Sequence, residues 1–182
     1  MTAEGNRVGI VRERIRMDGL EIDSSAFDQV NLHDVDVYGF FLRRRGFEIS
    51  FILDIDYLAE RTLLPDNHFE CLVMPATLTF LDVVDLQIHL DWGASLRREE
   101  PYGVIDNFSG QVTIYDFRRF AYADPIYTER PYLRYELGFS EPLDGRISLG
   151  AKDFTIVGRQ APVRSSHLTL DPDQRPPLIL GG

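Results

Sequence analysis

Strict alternation of apolar and polar residues is the feature that most constrains the fold of this chain. Within residues 47–57 every odd-numbered residue is apolar, and every even-numbered residue except Ile52 is polar. Side chains of a β-strand point alternately to the two faces of a sheet, so this pattern predicts a long strand with one buried face. Residues 35–42 are predicted as its hairpin partner, with a turn at residues 43–46 in which Gly46 takes a positive φ.

The same alternation recurs along most of the chain. Residues 72–80 and 84–90 are predicted as two antiparallel strands joined near Asp82, and further strands are expected at residues 111–117, 131–139, 146–149 and 153–157. Asp18-Gly19 and Asp144-Gly145 are turn signals, the first closing a hairpin over residues 15–22. Residues 122–130 are expected to form a long loop, because Asp124-Pro125 and Arg130-Pro131 disfavour both helix and strand.

These segments together predict an all-β or β-rich α+β fold. Only residues 56–63 and 102–108 could form short helices, so we expect an antiparallel β-sandwich or a curled sheet with one or two short helices. A single domain would cover residues 1–170. Residues 171–182 would follow it as an extended, proline-rich and mobile tail.

Charge and composition narrow the classes of function. The net charge is −10, and residues 1–91 hold 8 arginines against 17 acidic residues. Such a surface repels phosphate backbones, which disfavours nucleic-acid binding and favours a protein partner with a basic surface. The first residues lack the apolar stretch of a signal peptide, and no apolar run approaches the ~20 residues of a membrane helix. The expected location is the cytoplasm, without membrane contact, and Cys71 is expected to be a buried free thiol.

Aspartates and aromatic residues are the candidates for contact with that partner. The predicted strands carry aspartates at alternate positions, which would supply a row of negative charge, and nearby aromatic side chains could anchor the contact. The aspartates are Asp34, Asp36, Asp54, Asp56, Asp85 and Asp91, and the aromatic residues are Tyr38, Tyr57 and Trp92.

A metal site is the alternative use of the same side chains. His89 and Asp91 project from one face of a predicted strand, and Asp54 and Asp56 could face them from a neighbouring strand. Carboxylates with one imidazole suit Mg²⁺, Mn²⁺ or Ca²⁺, so a metal-assisted enzyme is a second hypothesis. It requires the two strands to be neighbours, and the competing interpretation is the polar solvent face of a sheet. No catalytic residue and no cofactor are assigned, because no nucleophile, cofactor-loop or zinc motif is present.

Clustered arginines are a further feature. They occur at Arg43-Arg44-Arg45, Arg97-Arg98 and Arg118-Arg119, the last among aromatic residues. Arginine beside aromatic residues is typical of protein interfaces, whereas the ordinary alternative is pairing with local acids such as Asp116.

Two resemblances add to this interpretation. Asn31-Leu32-His33-Asp34 opening one strand, together with Thr77-Leu78-Thr79-Phe80 in a later one, resembles small bacterial β-domains, some of which are immunity proteins of toxin systems. That resemblance implies a binding protein without catalytic residues. The ending Leu178-Ile179-Leu180-Gly181-Gly182 resembles the tail of ubiquitin-like modifiers, which implies a conjugation role for Gly181 and Gly182. A ubiquitin-like fold would also need a central helix, and none is predicted.

Overall fold

The segments with alternating apolar residues form antiparallel strands in the described part of the chain. The computed structural model describes residues 20–90, 112–122, 132–141 and 144–179. Its strands are β1 (Glu21–Asp23), β2 (Val35–Arg45), β3 (Glu48–Leu63), β4 (Phe69–Leu81), β5 (Val84–His89), β6 (Val112–Ala121), β7 (Leu133–Glu141), β8 (Arg146–Ala151), β9 (Asp153–Gly158) and β10 (Val163–Ser165). Short 3-10 helices lie at Ser24–Gln29 and Pro172–Gln174.

All the strands belong to one antiparallel sheet. Its order is β1-β9-β4-β3-β2-β6-β7-β8-β5, and β10 pairs with β4 beyond the end of β9. The sheet confirms the expected all-β class. It also confirms the β2–β3 hairpin, in which the ladder runs as far as Arg45 opposite Glu48 and Gly46 takes a φ of 61° in the loop.

The sheet curls around a single core. Rings from four strands of the core and from the 3-10 helix Ser24–Gln29 approach one another, with centroids between 5.0 Å (Phe27 to Phe117) and 6.4 Å (Phe27 to Tyr135). Phe80 and Phe154 complete this group. Because β4 and β9 meet β6 and β7 across these rings, the predicted curled sheet is confirmed.

The connection from β4 to β5 differs from the prediction. These strands do not pair with each other: β4 lies between β3 and β9, and β5 pairs with β8. Asp82 adopts a φ of 54°, and the Val83 amide donates a hydrogen bond to the Ile49 carbonyl at 2.7 Å. The two residues therefore bend the chain across the curled sheet instead of reversing it, because both edges of β4 already have partners.

The helix considered for residues 56–63 is also wrong. This segment is the second half of β3, and it pairs with β4 from Asp56 opposite Pro75 to Leu63 opposite Phe69. Pairing with β4 over this length determines the conformation of the segment, because the preference of a residue for a strand depends strongly on its neighbours in the sheet.

The last described residues lie against the outer face of the sheet. We call residues 159–176 the C-terminal strap. Its Leu170 is buried in a second apolar cluster with Cys71 and Val73 of β4, which confirms Cys71 as a buried thiol. The 3-10 helix Pro172–Gln174 lies within the predicted extended tail, and the Arg175 side chain that follows it is 8% exposed.

Several sequence predictions lie outside the described residues. They are the turn at Asp18-Gly19 with most of its hairpin, the helix at 102–108, and the loop at 122–130 apart from Tyr122. Among the described helical segments, none has the length and apolar character needed to cross a membrane.

Candidate functional site

Asp54 and Asp56 lie at the centre of a buried cluster of ion pairs. The Nη2 atoms of Arg159 and Arg175 lie 2.5 Å and 2.6 Å from Asp54 Oδ1. Arg175 also pairs through Nη1 with Asp56 Oδ1. Asp56 is fully buried, and the Arg175 side chain is 8% exposed. Charges this well buried are stable in a protein only when they are paired and hydrogen-bonded, as Asp56 and Arg175 are. Arg159 pairs through Nη2, whereas its buried Nε and Nη1 atoms have no hydrogen-bond partner among the described residues.

Hydrogen bonds saturate the second oxygen of Asp56. The Leu170 amide and the Tyr38 hydroxyl each donate to Asp56 Oδ2 at 2.9 Å. The register between β2 and β3 shifts between Val37 and Gly39, which places Tyr38 beside this carboxylate. The Arg175 guanidinium stacks 3.5 Å from the centre of the Tyr38 ring. Burial and the nearby Asp56 raise the pKa of the Tyr38 hydroxyl well above its ordinary value.

This cluster fastens the C-terminal strap to the sheet. Both carboxylates are on β3, whereas Arg159, Leu170 and Arg175 come from the strap. Asp54 and Asp56 are therefore taken up by internal partners, which contradicts their predicted exposure to a binding partner. It also removes them as carboxylates for a metal ion, because their oxygens already accept from guanidinium, hydroxyl and amide groups.

The other predicted aspartates are dispersed. Asp36 is buried and accepts a hydrogen bond from the Thr113 hydroxyl at 2.6 Å, so it is not a surface charge. Asp34, with a φ of 63°, pairs with His33 Nδ1 at 3.0 Å. Asp85 accepts a hydrogen bond from the Tyr122 hydroxyl. The structure brings these side chains to different parts of the sheet, so it does not assemble the predicted row of charge.

The strand that carries His89 is not a neighbour of the strand that carries Asp54 and Asp56, although the predicted metal site requires them to be neighbours. His89 lies opposite Arg146 at the edge of the sheet, since β5 pairs with β8 and not with β3. Within the part of the chain that the structure describes, no three His, Cys, Asp or Glu side chains are grouped to hold a metal ion. Asp91, Trp92, Gly181 and Gly182 lie outside the described residues.

A cleft of about 530 Å³, lined by both polar and apolar residues, opens beside β5, β6, β7 and β8. Asp85, Gln87, Arg134, Glu136 and Ser148 line it together with Tyr122. Arg134 Nη2 pairs with Glu136 Oε1 at 2.9 Å, and Asp85 accepts from Tyr122, so the charges of the cleft have partners within it.

The hairpin of β2 and β3 beyond the core is a different kind of surface. We call residues 38–50 the β2–β3 arm. Phe47, in its loop, is 98% exposed, and Leu42 is 62% exposed. Four more large apolar side chains of the arm are at least a third exposed: Tyr38, Phe40, Phe41 and Ile49. The ladder places Phe40 opposite Leu53 and Phe41 opposite Ile52, so both faces of the arm carry exposed apolar groups.

Sequence reasoning missed the arm as a site, although a signal was present. Residues 38–42 break the alternation with a run of aromatic and aliphatic residues, and three arginines follow directly. A strand with one buried face does not need apolar residues on both faces. Of the predicted aromatic anchors, Tyr38 belongs to this surface, whereas Tyr57 is buried in the core.

Comparison of the chain with known protein families, with curated proteins and with solved structures gives no match.

Proposed function

We propose that this chain is a protein-binding module and that its partner contacts the β2–β3 arm. The observation that carries the proposal is the exposure of six large apolar side chains on one hairpin, led by Phe47 and Leu42. Contiguous exposed apolar surface is uncommon on soluble domains and typically marks an interaction site. Aromatic residues and arginine are also the types enriched at the centres of protein interfaces.

The arrangement of polar groups elsewhere supports binding over catalysis. Asp54 and Asp56 pair with Arg159 and Arg175 and hold the C-terminal strap in place. The cleft beside β5 to β8 contains an internally paired set of charges. The resemblance to immunity-type β-domains, which implies a binder without catalytic residues, agrees with this proposal.

The charge of the proposed binding surface is positive, whereas a negative surface was expected from the net charge of the chain. The aspartates predicted to meet a basic partner include Asp36, Asp54 and Asp56, which are buried or internally paired. The arm instead carries three arginines and one glutamate, a net charge of +2 within a chain of −10. The proposed contact therefore combines apolar surface with local positive charge.

Site-directed photocrosslinking in the source cells tests the proposal. A benzophenone amino acid replaces Phe47 in one variant and Leu63 in a matched control, since Leu63 is also exposed and ends the same strand far from the arm. We expect one protein adduct from position 47 that is absent from position 63. Adding Leu42→Asp should abolish that adduct. Equal adducts from both positions, or an adduct that survives Leu42→Asp, would count against the arm as the binding surface.

A further inference from the structure

Along most of the arm, one edge of β2 has no strand partner among the described residues. On one side, β2 pairs with β3 from Val37 to Arg45. On the other side, β6 pairs only with Val35–Val37. From Tyr38 to Arg45, no strand in the described ranges lies along that second side. Backbone amide and carbonyl groups on such an edge can pair with a further strand.

The arginines at the end of this edge also have no acidic partner in the part of the chain that the structure describes. Arg118, Arg134, Arg164 and Arg175 each pair with a carboxylate. By contrast, Arg43, Arg44 and Arg45 form no ion pair with any described acidic residue, and the only acidic residue of the arm, Glu48, forms none with them.

Internal hydrogen bonds to these arginines are correspondingly few. Arg44 Nε donates to the Gly46 carbonyl at 2.8 Å, and Arg43 Nε is buried without a hydrogen-bond partner. Arg61, Arg146 and Lys152 also form no ion pair with a described acidic residue, but they lie apart from one another. Arg43, Arg44 and Arg45 are consecutive and lie at one end of this edge of β2.

We infer that the arm binds an extended acidic segment of a partner protein as an added strand along the edge from Tyr38 to Arg45. This inference rests on the proposed function of the arm. Main-chain hydrogen bonds would hold the segment, the exposed side chains of Phe40 and Leu42 would pack against its apolar residues, and its carboxylates would pair with the arginines.

Charge and geometry favour this occupant over three others. A second copy of the chain would bring two sets of three arginines into one interface, and positive charge on an edge strand opposes such self-pairing. Nucleic acid and anionic membranes would match the arginines but would be repelled by the net charge of −10. Neither of them uses the hydrogen-bonding groups of a strand edge.

Synthetic peptides and amide hydrogen exchange test the inference on the full chain. The first peptide alternates valine and threonine between paired glutamates, the second has lysines in place of the glutamates, and the third is the acidic peptide N-methylated at alternate residues. We expect the acidic peptide to bind at least about ten-fold more tightly than the other two. Binding should slow amide exchange within residues 38–45, and the double variant Arg43→Glu, Arg45→Glu should reverse the preference between glutamate and lysine.

Four results would overturn the inference. They are equal binding of the acidic and basic peptides, protection in the free monomer of those amides of residues 39–45 that do not donate to β3, a dimer that arm substitutions dissociate, and tighter binding of oligonucleotides or anionic lipid vesicles than of the acidic peptide. If the peptides fail while the Phe47 crosslink still depends on Leu42, strand addition is wrong and the arm remains the binding surface. If the crosslink is also lost from position 47, the proposed function fails with it.

Discussion

Two groups of arginines lie along the β2–β3 hairpin in opposite environments. Next to β3, Arg159 and Arg175 are largely buried and share the carboxylates of Asp54 and Asp56. At the end of the β2–β3 arm, Arg43, Arg44 and Arg45 have no carboxylate partner among the described residues. The first set stabilises the fold by fastening the strap, and the second leaves positive charge beside exposed apolar side chains. The pairing of a charge, and not its residue type, separates the structural role of the first set from the binding role that we propose for the second.

Removing the buried carboxylate should have the largest effect on stability. Asp56→Ala removes one of the two carboxylates that pair with Arg175 and leaves the Leu170 amide without its acceptor, and breaking a buried pair in this way costs about 3–5 kcal/mol. Urea unfolding would measure the change. The control is Glu48→Ala on the same strand, where the side chain is exposed and the expected change is within about 0.5 kcal/mol. Similar losses for the two variants would show that the cluster does not stabilise the fold.

Removing the strap's arginine should loosen the strap. Arg175→Met should destabilise the chain by about 3 kcal/mol and accelerate labelling of the Cys71 thiol, which Leu170 covers. Burial raises the pKa of that thiol, so its reactivity reports on uncovering. Arg164→Met is the matched control, since Arg164 pairs with Glu70 on the surface of the same strap and should contribute about 0–1 kcal/mol. Unchanged Cys71 labelling in Arg175→Met would mean that other contacts hold the strap.

Alkaline pH should weaken the apolar core that contains Tyr135. Burial, with a further contribution from Asp153, raises the pKa of Tyr135 to about 12. In the unfolded chain this tyrosine titrates near pH 10, so the unfolded state loses its proton first. Stability is therefore complete below pH 10 and declines between pH 10 and 12, by up to about 1.4 kcal/mol per pH unit from this residue.

Urea unfolding of Tyr135→Phe tests this pH dependence. Between pH 10 and 12 its stability should decline less steeply than that of the natural chain, whereas between pH 6 and 8 the two should run parallel. Identical slopes at alkaline pH would show that Tyr135 does not contribute to the decline.

Substitutions on the arm should have the smallest effect on stability. Phe47→Ser and Leu42→Ser remove exposed side chains, so each should change the free energy of unfolding by no more than about 0.5 kcal/mol. The same variants should reduce partner crosslinking. A loss of stability comparable to that of Asp56→Ala would place these side chains in an apolar core and remove the distinction between the two regions.

The sequence predicted the strands better than their partners. Alternation identified the β2–β3 hairpin and the curled antiparallel sheet, because it records which residues face the core. It could not show that β5 pairs with β8, since that choice depends on a bend at Asp82 and on which edges of β4 are already paired.

The alternation could not predict that the strap covers part of the outer face of the sheet. Asp54 and Asp56 occupy positions that usually face solvent, and only the return of the chain some hundred residues later, with Arg159 and Arg175, buries them. The exposure of the arm was not predicted for the opposite reason. Its apolar residues resemble core residues in the sequence, but no described strand covers them.

Crosslinking from position 47 is the most direct test of the central claim that the arm binds a partner. With the benzophenone group at Phe47, we expect a single adduct that Leu42→Asp and Arg43→Glu each diminish. The control at Leu63 should give none. An adduct of equal yield at Leu63, or no dependence on Leu42 and Arg43, would contradict the claim.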